Sequence, residues 1–434
     1  MKQLTLFSRS VGVALALALL ASPVRSQKTI IHAGHLIDGI SDAPREKVSI
    51  IIENGRIVEV KNGFVKADKT DKLIDLSQKW VMPGFIDSHV HMTGQLEKGG
   101  YIKRFQLYPA DVALIATKYL KRTLMAGFTT VRDVGADDFV NVSLRNAVNR
   151  GDIIGPRMFV SAKSLGVLGG HADPTNGYRE DILPVPDETK GVVAGVESAR
   201  RATLLAIKRG ADLIKITATA GVLSLASVGQ VPQFTEEEIR VIVETARDFG
   251  RKVAAHAHGA EGMKRAIRAG VASIEHGTYM DDEAMDLMIK HSCYMVPTII
   301  AGVSVADSAK IPGFFHPFVV KKALTIGPVI RKTFAKAYKR GVPIAFGTDA
   351  GVFAHGKNAL EFQYMVESGM PPMEAIKAAT YHAAKLLGKL DDFGTIEKGK
   401  RADIIAVNES PLKNIRTLQH MKFVMKDGVV YRNE

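Results

Sequence analysis

Six side chains able to ligate a metal stand at the ends of short apolar runs. His89 and His91 follow Val81-Met82-Pro83-Gly84-Phe85-Ile86-Asp87, and Lys215 ends Ala211-Asp212-Leu213-Ile214. His256 follows Lys252-Val253-Ala254-Ala255, His276 follows Ala272-Ser273-Ile274-Glu275, and Asp349 ends Ile344-Ala345-Phe346-Gly347-Thr348. Side chains alternate along an extended strand, so His89-Val90-His91 puts two imidazoles on one face. Two neutral imidazole nitrogens on one side suit zinc; two surface histidines are the plainer alternative. A lysine ending an apolar strand is costly if buried and charged. Lys215 therefore snorkels to solvent, pairs with a carboxylate, acts as a Schiff-base amine, or reacts with carbon dioxide to become an anionic N6-carboxylysine bridging two ions. Desolvation lowers a lysine's pKa and supplies the neutral amine that the last reaction needs. His256 and His276 each read alone as hydrogen-bonded core histidines; on successive runs they read as ligands of a second ion. Asp349 reads as a turn aspartate or as a ligand that also takes a proton from water and carries it to a departing amine. Six such groups meeting at one place would hold two divalent ions, with zinc the best fit, and make a hydrolase.

These residues need a scaffold that brings distant strand ends together. Short apolar runs alternate with helical patterns, which predicts an α/β fold, a (β/α)8 TIM-like barrel whose strand ends converge on one face. Runs at 128–131 and 157–160 fill the second and third strand slots, and 294–298 and 344–348 the seventh and eighth, although Pro297 weakens the seventh. Helical patterns lie at 196–208, 236–249, 261–269, 281–290 and 373–387. The two flanks, 27–82 and 394–434, read as strands with turns at Glu53-Asn54-Gly55-Arg56 and Lys426-Asp427-Gly428. They predict one small β-sandwich domain made by both ends around a metal-dependent hydrolase barrel of residues 83–393.

The chain has 434 residues, 46% of them hydrophobic, which is enough for more than one folding unit. Residues 1–26 read as an export signal: Lys2 and Arg9, an apolar stretch, then Val24-Arg25-Ser26 before a cut near Ser26. The stretch is short for a bilayer-spanning helix, so the expected product is periplasmic or secreted with no stable membrane anchor. The formal charge is +13, three of which leave with the signal, and the surplus suits anionic substrates. No Lys/Arg block or nucleic-acid signature is present, so nucleic acid is not an expected partner. Cys293 is the only cysteine; it forms no internal disulfide and reads as a small buried hydrophobe.

The stretch Pro83-Gly84-Phe85-Ile86-Asp87-Ser88-His89-Val90-His91, followed in order by Lys215, His256, His276 and Asp349, resembles the amidohydrolase superfamily over essentially the whole chain after residue 26. The resemblance implies that His89, His91 and Asp349 hold one ion, that His256 and His276 hold the other, and that carboxylated Lys215 joins them. Gly169-Gly170-His171, His256-Ala257-His258, Glu275-His276-Gly277-Thr278 and Gly347-Thr348-Asp349-Ala350-Gly351 look like the imidazolonepropionase-related branch. Within that branch Lys215 resembles the binuclear zinc Xaa-Pro-type dipeptidases and carboxypeptidases and the ochratoxin-hydrolysing amidohydrolases. This implies cleavage of an amide that releases a C-terminal amino acid from a small dipeptide or N-acyl substrate, by a homo-oligomer. A mononuclear deaminase or imidazolone-type cyclic-amide hydrolase is the alternative, against which Lys215 argues. A non-catalytic scaffold of the same fold would have lost ligands, and none is missing. The expected substrate contacts are His171, His258, Tyr279 and His355. Arg132 reads as one half of a structural pair with Asp133 or a neighbour.

Overall fold

Alternating apolar residues make both ends of the chain β-rich. The computed structural model describes residues 27–225 and 229–434, so the expected export signal lies outside the described residues. Strands β1 (Thr29–Leu36), β2 (Arg45–Glu53), β3 (Arg56–Asn62) and β4 (Lys72–Pro83) open the chain. Strands β5 (Phe85–Val90), β6 (Phe128–Asp133) and β7 (Arg157–Val160) follow as a parallel three-stranded sheet. After a short pair, β8 (Gly166–Val167) and β9 (Val192–Val193), come β10 (Ile214–Thr217), β11 (Val253–Gly259), β12 (Ser273–Tyr279) and β13 (Tyr294–Val296), a parallel four-stranded sheet. Strands β14 (Ile404–Val407), β15 (Phe423–Lys426) and β16 (Val429–Asn433) return to the first set.

The two ends form one seven-stranded sheet in the order β16-β15-β14-β4-β1-β2-β3. Strand β4 makes the junction because it is long: it runs parallel to β1 and its last residues pair antiparallel with β14. Ile50 and Ile74 from one half share a core with Ile404 and Phe423 from the other. The two flanks of the chain are thus one hydrophobic unit.

The parallel sheets are linked by isolated bridges: Leu165 to Ile216, Met295 to Ile344, and Val90 to Ala350. The 344–350 segment therefore joins the edge of β13 to the edge of β5, also through Ala345 N–H to Met295 O and Ser88 N–H to Phe346 O. The seventh run ends at Val296, two residues before the expected Thr298. Pro297 has no N–H to donate, and Thr298 turns to φ 52°, in the left-handed region.

Helices α1 (Pro109–Met125), α2 (Val140–Arg150), α3 (Val196–Lys208), α4 (Glu236–Asp248), α5 (Ala260–Ala269) and α6 (Asp282–Lys290) connect these strands. In α4, Thr235 accepts from Glu238 N–H while Glu238 reaches back to Thr235 N–H, a capping box, and Ile239, Ile242 and Ala246 form the buried stripe. Helices α7 (Ile299–Ala309), α8 (Pro317–Arg340) and α9 (Leu360–Glu367) follow. The expected 373–387 helix is present without a gap: α10 (Pro372–Lys377) and α11 (Ala383–Leu387) are joined through a π-helical turn at Ala378–His382.

Candidate metal and substrate site

Parallel pairing in register brings the ligand candidates to the same end of the strands. Thr217 pairs with His256, and Ala257 pairs with His276. His89, His91, Lys215, His256, His276 and Asp349 all line one cavity of about 360 Å³, in the size range of small-molecule sites.

Each imidazole but two has one nitrogen fixed by a neighbour. His89 Nδ1 donates to Glu275 Oε2 at 2.8 Å, and His91 Nδ1 donates to Gly135 O at 2.8 Å. His258 Nδ1 meets Thr278 Oγ1 at 2.8 Å, and His276 Nδ1 meets Thr298 Oγ1 at 2.7 Å. Anchoring one nitrogen orients the ring and leaves Nε2 for the cavity, as in metal-binding histidines. His89 Nε2 and His91 Nε2 stand 3.6 and 3.5 Å from Asp349 Oδ1. The exceptions are His256 Nε2 and His171 Nδ1, which are buried without a hydrogen-bond partner. An unpaired buried polar atom costs about 1–3 kcal/mol, which a ligated cation would offset.

Among the described residues, two groups could hold an ion: His89, His91 and Asp349, and His256, His258 and His276. In each, the ligand atoms lie within 4.8 Å of one another. The groups abut, with the His89 and His276 rings 5.0 Å apart. The donor set therefore fits divalent metal. Burial pushes His91 and His171 down to about 4 and His258 to about 3, so these rings are neutral at neutral pH, the form that ligates.

Lys215 is buried, and among the described residues no carboxylate lies within ion-pair distance of it. This placement disfavours both snorkelling and a salt bridge. Burial is the main cause lowering its pKa to about 8, opposed by the charges of Glu275 and Asp349. Burial also raises Asp349 to about 7, which Lys215 opposes.

Backbone strain collects here. His276 (φ 73°), Thr298 (φ 52°) and Asp349 (φ 62°) all lie in the left-handed region. Aspartate and histidine are among the residues that tolerate it, but β-branched threonine adopts it at a cost, and such residues cluster at functional sites.

A set of buried charges holds the ligand candidates. Glu275 accepts from Arg132 Nη2 at 2.7 Å as well as from His89. Arg132 thus pairs with Glu275, on another strand, while neighbouring Asp133 accepts from Met92 N–H and Asn141 Nδ2. Asp87 accepts from Thr348 Oγ1 at 2.6 Å and Asn358 Nδ2 at 2.8 Å, tying the Asp349 turn to β5. Glu275, Thr278, Thr298 and Asn358 carried no role in the sequence reading. Glu275 offered one signal: a carboxylate inside an apolar run, alternating with His276.

Of the four expected substrate contacts, His171 and His258 line the cavity. His171 stacks on His256 with ring centres 4.5 Å apart. Its ring fits only because residue 221 is glycine: a Cβ there would lie 2.2 Å from His171 Cε1. Tyr279 is partly exposed and outside the lining. His355 also lies outside it, donating from Nε2 to Gly94 O (2.7 Å) and stacking on Tyr119 at 4.5 Å.

Glu361 sets the start of α7 beside Thr298. Its two oxygens accept from Ile299 N–H at 2.8 Å and Ile300 N–H at 2.7 Å. Burial raises it from 4.5 to about 8. The folded chain therefore holds a proton there that the unfolded chain releases above 4.5. Its contribution is fully present below that value and is lost as pH rises through about 8. Glu361→Gln is expected to flatten the fall of Tm between about pH 5 and 8; a slope identical to that of the unsubstituted protein sinks the assignment.

Residues 80–432 match the Amidohydrolase family. The chain belongs to the amidohydrolase family. Among amidohydrolase relatives, ochratoxinase from Aspergillus niger is 31% identical over 440 residues, covering 95% of this chain and 88% of that protein. A crystal structure of a Xaa-Pro dipeptidase with methionine bound in its active site is 49% identical, with a TM-score of 0.91 over 94% of this chain and all of that one. A prolidase complexed with N-methylphosphonate-L-proline is 32% identical, with a TM-score of 0.86 and the same coverage.

Proposed function

We propose that this amidohydrolase cleaves the amide of a dipeptide or N-acyl amino acid and releases the C-terminal residue. The carrying observation is the unpaired, buried Lys215 in the same cavity as two abutting groups of ligand side chains. Family membership and likeness to ochratoxinase and a Xaa-Pro dipeptidase support hydrolysis of a carbon–nitrogen bond. In this reading the two parallel sheets and the 344–350 segment close a (β/α)8 barrel spanning residues 83–393. Residues 27–82 and 394–434 then form the β-sandwich beside it. Residues 1–26 export the chain to the periplasm or beyond, and it works as a homo-oligomer. No helix among the described residues is long and apolar enough to cross a membrane.

His89, His91 and Asp349 would hold one divalent ion and His256 and His276 the other, with carboxylated Lys215 between them; zinc fits the nitrogen-rich set. Bound ions supply Lewis acidity to the scissile carbonyl and acidify water. The chain's residues supply the rest. The neutral Lys215 amine bonds through nitrogen to the carbon of carbon dioxide and loses one N–H proton to solvent, leaving an anionic carbamate. Its pKa near 8 keeps a usable fraction of free amine at neutral pH. Asp349 accepts a proton on its carboxylate and hands it to the departing amine nitrogen. His171 and His258 receive the substrate at the cavity wall.

A hydrolysis screen of zinc-supplemented protein against dipeptides, N-acyl amino acids and an ochratoxin-like amide tests this; no turnover of any of them overturns it. Lys215→Ala is expected to lose one ion of two and most activity, measured by elemental analysis and initial rates. Two ions and full turnover in that variant would remove the bridging role. A second reading draws support from the close packing of His256, His258 and His276. Three imidazoles can hold a single catalytic zinc. One ion per chain in the unsubstituted protein would favour that mononuclear hydrolase.

A further inference from the structure

The cavity has two unlike sides. The imidazoles, Lys215 and Asp349 form one. The other is built by α7 and α8. Ala301 and Val305 are one turn apart on α7, and Ile326 and Ile330 are one turn apart on α8, so each pair projects from one helix face. Leu223 and Val352 extend the same surface. No residue that α7 or α8 contributes to the lining is charged.

The depth of this side is set by two glycines. A Cβ at Gly302 would lie 3.1 Å from Ile330 Cγ2 and 3.7 Å from Gly327 Cα. A Cβ at Gly327 would lie 3.4 Å from Gly302 O. The helices therefore touch backbone to backbone at this crossing, which carries Ile330 to the cavity and leaves Ala301 as the smallest side chain on that surface.

We propose that this α7–α8 face is the specificity subsite and selects substrates with an aliphatic or thioether side chain next to the scissile amide. The proposal rests on the amide-hydrolase reading above. A charged substrate side chain would lose its water here and gain no charged partner from the α7 and α8 lining residues, whereas an apolar one gains contact along its length. Each methylene that fills such a pocket is worth about 10–200-fold in discrimination.

The test uses zinc-supplemented full-length protein and dipeptides that differ at one residue: Gly, Ala, Leu, Met, Asp or Lys, varied at each position in turn. At one position kcat/KM for Leu and Met is expected to exceed that for Ala by at least about tenfold, and that for Asp and Lys by more. Ala301→Leu, and Ala301→Val as a milder change, fill the space and are expected to lower the Leu/Gly ratio stepwise, with Tm as the folding control. Turnover without side-chain preference, or a ratio that neither variant moves, overturns this proposal and leaves the amide-hydrolase reading standing. If no dipeptide is cleaved, the same series is run as N-acyl amino acids; if none of these or the ochratoxin-like amide is cleaved either, that reading fails, and thermal shift with free amino acids still decides the subsite. Stabilisation by leucine or methionine but not by aspartate or lysine supports it; equal or absent shifts overturn it.

Discussion

Arg132→Met is expected to destabilise the fold by about 3–5 kcal/mol, the usual cost of leaving one partner of a buried ion pair alone. Arg132 and Glu275 are both buried, and their shortest N–O separation is 2.7 Å. The arginine also donates to Ser88 O, so its loss leaves an anion and a carbonyl uncompensated at the base of the site. Two features make the prediction specific. Methionine keeps most of the side-chain volume, so a cavity is not the cause. Adding Glu275→Gln removes the stranded charge, so the double variant is expected to regain a large part of the stability. It is not expected to regain activity, because Glu275 also fixes His89 Nδ1. Denaturant unfolding of the two single variants and the double variant gives the coupling. A single variant within about 0.5 kcal/mol of the unsubstituted protein, as surface changes usually are, would show that the pair is not what holds this region.

The ligand candidates were legible because each sits at the end of a run whose burial and direction are fixed by period-two alternation. His89, Lys215 and His256 follow that rule, and parallel pairing puts Lys215 and His256 on one face of β10 and β11; His276 pairs with Ala257 rather than His256 and reaches the cavity where its φ of 73° leaves the strand. Alternation fails where the backbone leaves the strand. His276 and Gly277 both have positive φ, so the face of His276 says nothing about where Tyr279 points. His355 follows the Asp349 turn, and its orientation depends on a carbonyl at Gly94 and a ring at Tyr119 from α1, partners that no local pattern announces. Arg132 stands beside Asp133 in sequence, yet neighbours on a strand face opposite ways, and its partner is Glu275 on β12. The α7 segment, Ile299-Ile300-Ala301-Gly302-Val303-Ser304-Val305, reads as one apolar run without a helical stripe, because it is packed on several sides. The α7 side of the cavity was therefore the least readable part of the site.

Asp349→Asn is expected to lower kcat by about 100–10,000-fold, the range for removing a positioned acid–base group, with little change in folding. The choice of asparagine matters. Residue 349 has φ 62°, and asparagine, like aspartate, tolerates that conformation, whereas alanine would add backbone strain. The amide also keeps an oxygen able to approach His89 and His91 Nε2, but it cannot take a proton at neutral pH and pass it on. Loss of the negative charge is expected to weaken the ion beside His89 and His91 as well. Metal content must therefore be measured with the rate, at rising zinc. Activity that stays low when both ions are present isolates the proton-transfer role; activity that returns with added zinc assigns Asp349 to ligation alone. Full turnover at ordinary zinc would remove Asp349 from the reaction. It would also break the link between the strained turn after Thr348 and chemistry, since that turn, held by Thr348 Oγ1 and Asn358 Nδ2 on Asp87, exists in this fold to aim one carboxylate at two imidazoles.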